Sequence, residues 1–229
     1  MIEEIQNFLA ESYFIPIYLI TWLVAMYRYR RYFDTVMRFF PIFIMYTFLT
    51  ELLGYFVKYH EEYQFFSDPE YSWHNVIIYN IYSVISFSFF YYIYWTTLKQ
   101  PKHRGMVKKG AYISLLGYLI SVFFQDPLHS NLYYADLLAS IILILCVWMY
   151  FKEKRSEESS YPLYRSLLYW VSLGLVVFHI FFPLIFIAAY EMPEFYFAFH
   201  LHQLLLVLIA IMYFLFMVGF LIGQRKAFR

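Results

Sequence analysis

Six ionisable side chains lie within stretches of the chain that are otherwise apolar, and these residues are the ones that could do chemistry. They are Glu51, His74, Asp136, His179, His200 and His202. Carboxylates and imidazoles are costly to place in hydrocarbon, so they usually face the interior of a helix bundle and mark a functional site or a helix contact. As a group they suit metal ligation, proton transfer or recognition of a polar ligand.

Helical spacing adds polar neighbours to these residues. Side chains three, four and seven positions apart share one helix face. His202 is favoured over His200 as an interior residue, because positions two apart point about 200° apart on a helix. The predicted ligand-binding residues are Glu51, Tyr55, Asn75, Tyr79, Asn80, Asp136, His179, His202 and Gln203.

Pro183 lies four positions after His179, which is the deepest of the ionisable residues at about 16 Å from a helix end. Proline has no backbone N–H, so the carbonyl of His179 loses its helical donor and a kink is expected there. The sequence therefore predicts a free acceptor beside an imidazole near the bilayer midplane.

The enzyme alternative is a zinc centre formed by His179, His202, Asp136 and Glu51, because three such ligands and a water make a catalytic site. The protein would then be a metal-dependent hydrolase acting on lipid. The histidines and spans are similar to those of seven-helix hydrolases of the alkaline ceramidase and adiponectin-receptor type, whose last helix carries an HxxxH pair. This chain has His200-Leu201-His202 there. Haem ligation by His179 and His202 is another alternative, and the cofactor stays unknown.

The composition indicates that membrane-spanning helices position these residues. Of 229 residues, 62% are apolar, 25% are aromatic and only 14% are charged, whereas an average soluble domain is about 45–50% apolar and about 25% charged. A water-soluble globule is therefore excluded. One cysteine, seven glycines and a net charge of +1 also exclude a disulfide scaffold, collagen and a nucleic-acid-binding protein.

Seven stretches approach the roughly 20 apolar residues that a spanning helix needs. The predicted spans are about 12–27, 39–58, 73–97, 110–125, 132–151, 166–190 and 196–222. The sequence thus predicts an all-α, polytopic membrane protein with a single seven-helix domain over residues 1–229. The first span is not expected to be a removable signal peptide, because the residues before it include Glu3, Glu4 and Glu11 rather than basic residues.

The basic residues predict the orientation. Lysine and arginine concentrate in cytoplasmic loops, and 16 of the 17 basic residues fall on one side of the seven-span plan, with Lys58 as the exception. We therefore expect the N-terminus outside and the C-terminus in the cytoplasm. The aromatic-rich chain with basic loops is typical of bacterial proteins, which suggests the plasma (inner) membrane.

The spans also suggest a 3+1+3 pseudo-repeat, of the parallel kind found in transporters. The second span of each half begins near an arginine, Arg38 or Arg165, and reaches Glu51 or His179 after 13–14 residues. This plan is similar to that of sugar transporters of the SWEET type, PQ-loop proteins and opsins. The chain has no Pro-Gln dipeptide, and its last span has no lysine for a retinal Schiff base.

The ionisable residues fall in the outer half of the spans, whereas the inner stretches Ile141–Trp148 and Leu204–Leu221 are almost wholly apolar. This asymmetry predicts a pocket open to the outside that binds a small polar or amphipathic ligand, in a sensor, receptor or transporter. Besides the lipid bilayer, expected partners are a separate signalling protein or a second copy of the chain. A structural subunit packing through Ala135 and Ala139 is the third alternative.

Overall fold

The computed structural model describes residues 15–68, 71, 74–157 and 162–224. Helix accounts for 83% of these residues and no strand occurs among them, which confirms the all-helical class. The described residues form eight α-helices, which are α1 (Ile15–Arg28), α2 (Phe40–Tyr59), α3 (Val76–Thr97), α4 (Pro101–Ser121), α5 (Tyr133–Ser156), α6 (Leu167–Glu191), α7 (Pro193–Ala198) and α8 (Leu201–Ile222). The predicted positions 12–14 and 73 lie outside the described residues.

Five helical segments are long and apolar enough to cross a membrane. They are Val36–Tyr59, which includes α2, together with α3, α5, α6 and α8. These segments indicate a multi-pass protein in a lipid bilayer. The described part of α1 has 14 residues, and α4 is less apolar because four basic residues lie in its first half: Lys102, Arg104, Lys108 and Lys109.

Two predicted spans have different boundaries in the structure. The fourth helix, α4, begins at Pro101 rather than near residue 110, because proline is well suited to the first turn of a helix, and it ends at Ser121. The seventh span is divided into α7 and α8. The division falls at His200, whose φ of 49° is left-handed, an uncommon conformation for a residue other than glycine.

Six long helices close a ring. Helix α1 packs against α2 and α8, α2 packs against α3, α3 packs against α5, α5 packs against α6, and α6 packs against α8. Helix α4 packs on α3 and α5 from outside the ring, and its other faces expose apolar side chains such as Leu116 and Leu119. The ring leaves a space between the helices, and Glu51, Asp136 and His179 line it.

Glycines allow α6 and α8 to approach closely. A Cβ atom at Gly219 of α8 would lie 2.9 Å from the Cβ of Trp170 and 3.2 Å from the carbonyl oxygen of Leu167. At Gly174 of α6, a Cβ atom would lie 3.1 Å from the carbonyl oxygen of Met212. Small residues at such crossings favour helix packing in membranes.

The connections that contain most of the lysine and arginine residues lie at one end of the bundle, which we call the basic end. Glu153 of α5 accepts hydrogen bonds there from the backbone N–H groups of Lys99, at 2.8 Å, and Gln100, and its Oε1 lies 2.6 Å from Nδ1 of His103. Partial burial disfavours the charged form of Glu157, but hydrogen bonds from Lys154 and Lys99 outweigh it and lower the pKa of this carboxyl group.

At the other end, which we call the acidic end, two aromatic side chains that precede α3 pack against the connection between α4 and α5. The rings of Phe66 and Tyr71 lie 5.1 and 4.3 Å from that of His129, in the connection between α4 and α5. Nδ1 of His129 is 2.6 Å from Oδ2 of Asp126. This hydrogen bond, with one from the N–H of Leu128, lowers the pKa of the Asp126 carboxyl group.

Five phenylalanines fill the ring on the side of the basic end, and we call this group the aromatic plug. They are Phe40, Phe43, Phe90, Phe216 and Phe220, which belong to α2, α3 and α8 and are at most 6% exposed. Phe40 is in ring contact with Phe90, Phe216 and Phe220, at centroid distances of 6.2, 5.2 and 5.6 Å. The interior of the ring is therefore closed toward the basic end.

Candidate functional site

A cavity of about 350 Å³ lies inside the ring. Its volume is at the lower end of the range of small-molecule sites, about 300–1,000 Å³. Phe43, Phe90 and Phe216 of the aromatic plug form its floor, and Asn75, Asn131, Tyr196 and His202 belong to its wall at the acidic end. The other lining residues are Tyr18, Thr47, Glu51, Val76, Tyr79, Tyr82, Ser83, Ser86, Phe87, Asp136, Leu175, Phe178, His179, Phe182, Phe186, Leu205, Leu206, Ile209, Met212 and Tyr213.

The structure brings six of the nine predicted ligand-binding residues together in this wall: Glu51, Asn75, Tyr79, Asp136, His179 and His202. Tyr55, Asn80 and Gln203 are not part of it. Tyr55 packs its ring against Phe56 and Tyr59, and Gln203 is exposed near the start of α8. The binding roles of the nine residues stay predictions.

Asn80 instead holds the connection between α4 and α5. Its Nδ2 donates to the carbonyl oxygens of Pro127, at 2.8 Å, and Ser130, at 3.0 Å, and its Oδ1 accepts from the N–H of Leu132 at 3.0 Å. These bonds use both ends of a buried amide, so Asn80 positions the loop beside the cavity.

Glu51 accepts hydrogen bonds from two tyrosines on neighbouring helices. The hydroxyl of Tyr18 donates to Oε1 at 3.3 Å, and that of Tyr79 donates to Oε2 at 3.0 Å. Among the described residues, Glu51 forms no ion pair with a lysine, arginine or histidine. One turn further along α2, Gly54 makes room for Tyr79, because a Cβ atom there would lie 2.5 Å from the tyrosine oxygen.

Tyrosine rings surround this carboxylate, and we call Tyr18, Tyr79, Tyr82 and Tyr213 the tyrosine group. The rings of Tyr18 and Tyr213 meet edge to face at 4.5 Å. The hydroxyl of Tyr82 lies 3.2 Å from Oγ1 of Thr47. Helices α1, α3 and α8 supply the tyrosines and α2 supplies Glu51, so four helices build this part of the site.

Asp136 of α5 is 2% exposed and accepts a hydrogen bond of 2.5 Å from the hydroxyl of Tyr118. Tyr118 belongs to α4, so a helix outside the ring supplies the partner of a carboxylate that lines the cavity.

His179 lies in an apolar part of the wall. Its Nδ1 is 3.0 Å from Oγ of Ser140 on α5. The rings of Phe87 and Phe178 lie 5.0 and 5.2 Å from the imidazole. Pro183 is buried inside α6, which runs as one helix from Leu167 to Glu191.

The structure gives the zinc hypothesis no support, and the hypothesis stays a prediction. Among the described residues, no group of three His, Cys, Asp or Glu side chains could hold one metal ion. Glu51 and Asp136 accept hydrogen bonds from different tyrosines, and His179 is hydrogen-bonded to Ser140, so these groups are held by separate helix contacts. The haem alternative stays a prediction.

The predicted binding residues omit four tyrosines that line the cavity, which are Tyr18, Tyr82, Tyr196 and Tyr213, and also Tyr118, the partner of Asp136. Tyrosine occurs 26 times in the chain, so its presence alone distinguishes no position. Tyr213 carried a usable signal, because it is the one hydroxyl in the apolar stretch Leu204–Leu221. A buried tyrosine hydroxyl usually has a hydrogen-bond partner, and that partner must come from another helix.

Comparisons of the chain with protein-family models, with curated proteins and with solved structures gave no significant match. The resemblances in helix plan therefore assign no family, and function must be argued from the cavity.

Proposed function

We propose that this protein binds a small amphipathic ligand in the cavity of its helix ring. The observation that carries the proposal is the mixed wall of the cavity, where Glu51 and its tyrosine partners stand beside apolar side chains such as Phe182 and Ile209. Small-molecule sites are typically mostly apolar, with a few polar groups that orient the ligand.

We further propose that α1 to α6 and α8 are seven membrane spans, with the basic end in the cytoplasm. The gathering of basic residues at one end supports this orientation, because lysine and arginine concentrate in cytoplasmic loops. The cavity then opens to the outside of a bacterial inner membrane. A 3+1+3 plan is compatible with α4 lying outside the ring between α3 and α5.

A receptor or binding protein fits this cavity better than a transporter. A transporter needs a path to both sides of the membrane, whereas the aromatic plug closes the ring below the cavity. No described loop is long enough to form an output domain. We propose that a signal leaves through another membrane protein or a second copy of the chain.

Filling the cavity tests the proposed function. Ile209 lines the cavity from α8, so Ile209→Trp places an indole in the ligand space. Calorimetry with 2-phenylethanol, a small neutral amphiphile, should show saturable binding to the unaltered protein. We expect the variant to bind about tenfold more weakly or worse, because occupied volume excludes the ligand.

Ile211→Trp is the matched control, since Ile211 lies two residues away on α8 and is 41% exposed. This variant should bind 2-phenylethanol as the unaltered protein does. Equal binding by the Ile209 and Ile211 variants would contradict a ligand site in the cavity, as would lack of saturable binding of any small amphiphile to the unaltered protein.

A further inference from the structure

The electrostatics of the cavity point to the charge of its ligand. The lining includes two carboxylates, Glu51 and Asp136, and among the described residues it includes no lysine or arginine. Asp136 is hydrogen-bonded at 2.5 Å to Tyr118 of α4, whereas Glu51 accepts longer bonds of 3.3 and 3.0 Å from Tyr18 and Tyr79. Asp136 is 2% exposed whereas Glu51 is half-buried, so Glu51 is the carboxylate that a ligand can reach more easily.

The tyrosine group adds aromatic rings to the cavity around Glu51. Aromatic rings carry partial negative charge on their faces and attract a cation, most strongly when water is excluded. Tyr18 and Tyr213 are 2% and 1% exposed, and all four rings line the cavity. A carboxylate among tyrosine rings suits an ammonium ion and disfavours an anion.

The rest of the cavity wall does not provide the ligands that a bare metal ion needs. A hard cation such as calcium takes six to eight oxygen ligands, and no described group of three acidic, histidine or cysteine side chains gathers here. Beside the tyrosine group lie Leu175, Phe178, Phe182 and Ile209, which would contact an apolar part of the ligand.

We propose that the cavity binds an organic ammonium ion that carries an apolar group, with its nitrogen beside Glu51 and the tyrosine rings. This inference rests on the proposed function, because it assigns a chemical class to the ligand of the same cavity. It covers free amines and lipid headgroups with a quaternary nitrogen, which share this chemistry.

The experiment compares three aromatic compounds of similar size by calorimetry on the purified full chain in neutral detergent. They are phenethyltrimethylammonium, which is permanently cationic, 2-phenylethanol, which is neutral, and 3-phenylpropanoate, which is anionic. Titration at about pH 8.5 keeps exposed imidazoles uncharged. We expect the cation to bind about tenfold more tightly than either other compound, because only it gains the carboxylate and the ring faces.

Two Glu→Gln variants form a matched pair. Glu51→Gln removes the charge and keeps the side-chain shape, so the cation should lose about tenfold in affinity, a larger loss than that of 2-phenylethanol. Glu191→Gln is the control, since Glu191 also accepts from two tyrosine hydroxyls, those of Tyr133 and Tyr134, at 2.7 and 3.0 Å but does not line the cavity. Its cation affinity should stay that of the unaltered protein.

The outcomes separate this inference from the proposed function. If 2-phenylethanol or 3-phenylpropanoate binds as tightly as the cation, or if Glu51→Gln leaves cation affinity unchanged, the cavity binds ligands but the ammonium assignment is wrong. If none of the three compounds binds the unaltered protein, both proposals are wrong. The comparison on the unaltered protein does not depend on how well a variant folds.

Phosphatidylcholine vesicles then distinguish a free ammonium compound from a lipid headgroup as the ligand. Protein reconstituted in phosphatidylcholine should bind phenethyltrimethylammonium more weakly than protein in digalactosyldiacylglycerol, an uncharged lipid without nitrogen, if the phosphatidylcholine headgroup competes for the cavity; an anionic lipid is avoided because its surface potential attracts the cation. Equal affinities in the two lipids would assign the site to a free ammonium compound.

Discussion

The hydrogen bond between Tyr118 and Asp136 shows how single residues set the shape of the cavity. Asp136 faces the interior of the ring, and its hydroxyl partner comes from α4 outside it. A buried carboxylate without a partner is costly. Tyr118 therefore fixes both the position of α4 and the position of a charged group in the wall.

Replacing Tyr118 with phenylalanine should destabilise the protein. The change removes the donor to a buried carboxylate, which typically costs about 1–3 kcal/mol in the free energy of unfolding. Thermal unfolding in detergent should show the loss. Tyr112→Phe is the control, because Tyr112 is on the same helix and 59% exposed, and it should unfold at the temperature of the unaltered protein. Equal unfolding temperatures for all three proteins would contradict the role of Tyr118.

At the scale of residues, the sequence predicts the buried ionisable groups better than it predicts their hydrogen-bond partners. Glu51, Asp136 and His179 are rare within apolar stretches, so their interior positions could be inferred from the cost of exposing them to lipid. Their partners are tyrosines and serines, which occur throughout the chain. Which hydroxyl bonds to which carboxylate depends on how each helix is rotated and on which helices are neighbours. The spacing of residues along the sequence determines neither.

At the scale of the elements, the crossing of α6 and α8 depends on glycine. Both Gly174 and Gly219 lie where a Cβ atom would meet the backbone or the base of a side chain on the opposite helix. These are contacts that a rotamer change cannot relieve, so the helices must separate to accommodate a larger residue. Separation would also move Met212 and Tyr213, which line the cavity.

We expect Gly219→Ala to lower the unfolding temperature, although alanine favours a helix. Overpacking typically costs about 1–3 kcal/mol, more than the roughly 0.5–1 kcal/mol that alanine gains over glycine. Gly105→Ala is the matched substitution, since nothing lies within 4 Å of a Cβ atom there, and it should raise the unfolding temperature. A rise in both variants would contradict the close crossing.

Long apolar elements could be predicted from the sequence, and irregular ones could not. The boundaries of α2, α3, α5 and α6 follow the apolar stretches closely because each helix has polar or charged flanks. Helix α4 begins in a basic segment that resembles a loop, and it is held there by Glu153 near the end of α5. The break at His200 depends on a left-handed residue that apolar periodicity does not reveal.

At the scale of the whole molecule, seven spans require that α4 cross the membrane, as well as α1. Helix α4 is as long as the spanning helices but is not one of the five apolar segments. It nevertheless runs from the basic end to the acidic end. If α4 crosses the membrane, Lys102 at its start and Leu128 after its end lie on opposite sides.

Cysteine labelling of intact cells tests this topology. In a Cys146→Ala background, a membrane-impermeant maleimide should label Leu128→Cys and leave Lys102→Cys unlabelled until the cells are opened, because the reagent cannot pass the bilayer. Both positions are exposed, and the native Cys146 is buried. Labelling of both positions in intact cells would place both ends of α4 outside and rule out seven spans.

The partners of the polar side chains also bear on how the chain enters the membrane during synthesis. Glu51 of α2 bonds to Tyr18 of α1 and Tyr79 of α3, Asp136 of α5 bonds to Tyr118 of α4, and His179 of α6 bonds to Ser140 of α5. Each costly group thus has a partner on a helix that the ribosome completes just before it. Because chains emerge from the N-terminus, these three groups can leave the insertion machinery already hydrogen-bonded. When α8 closes the ring and completes the cavity, these three groups already have hydrogen-bond partners.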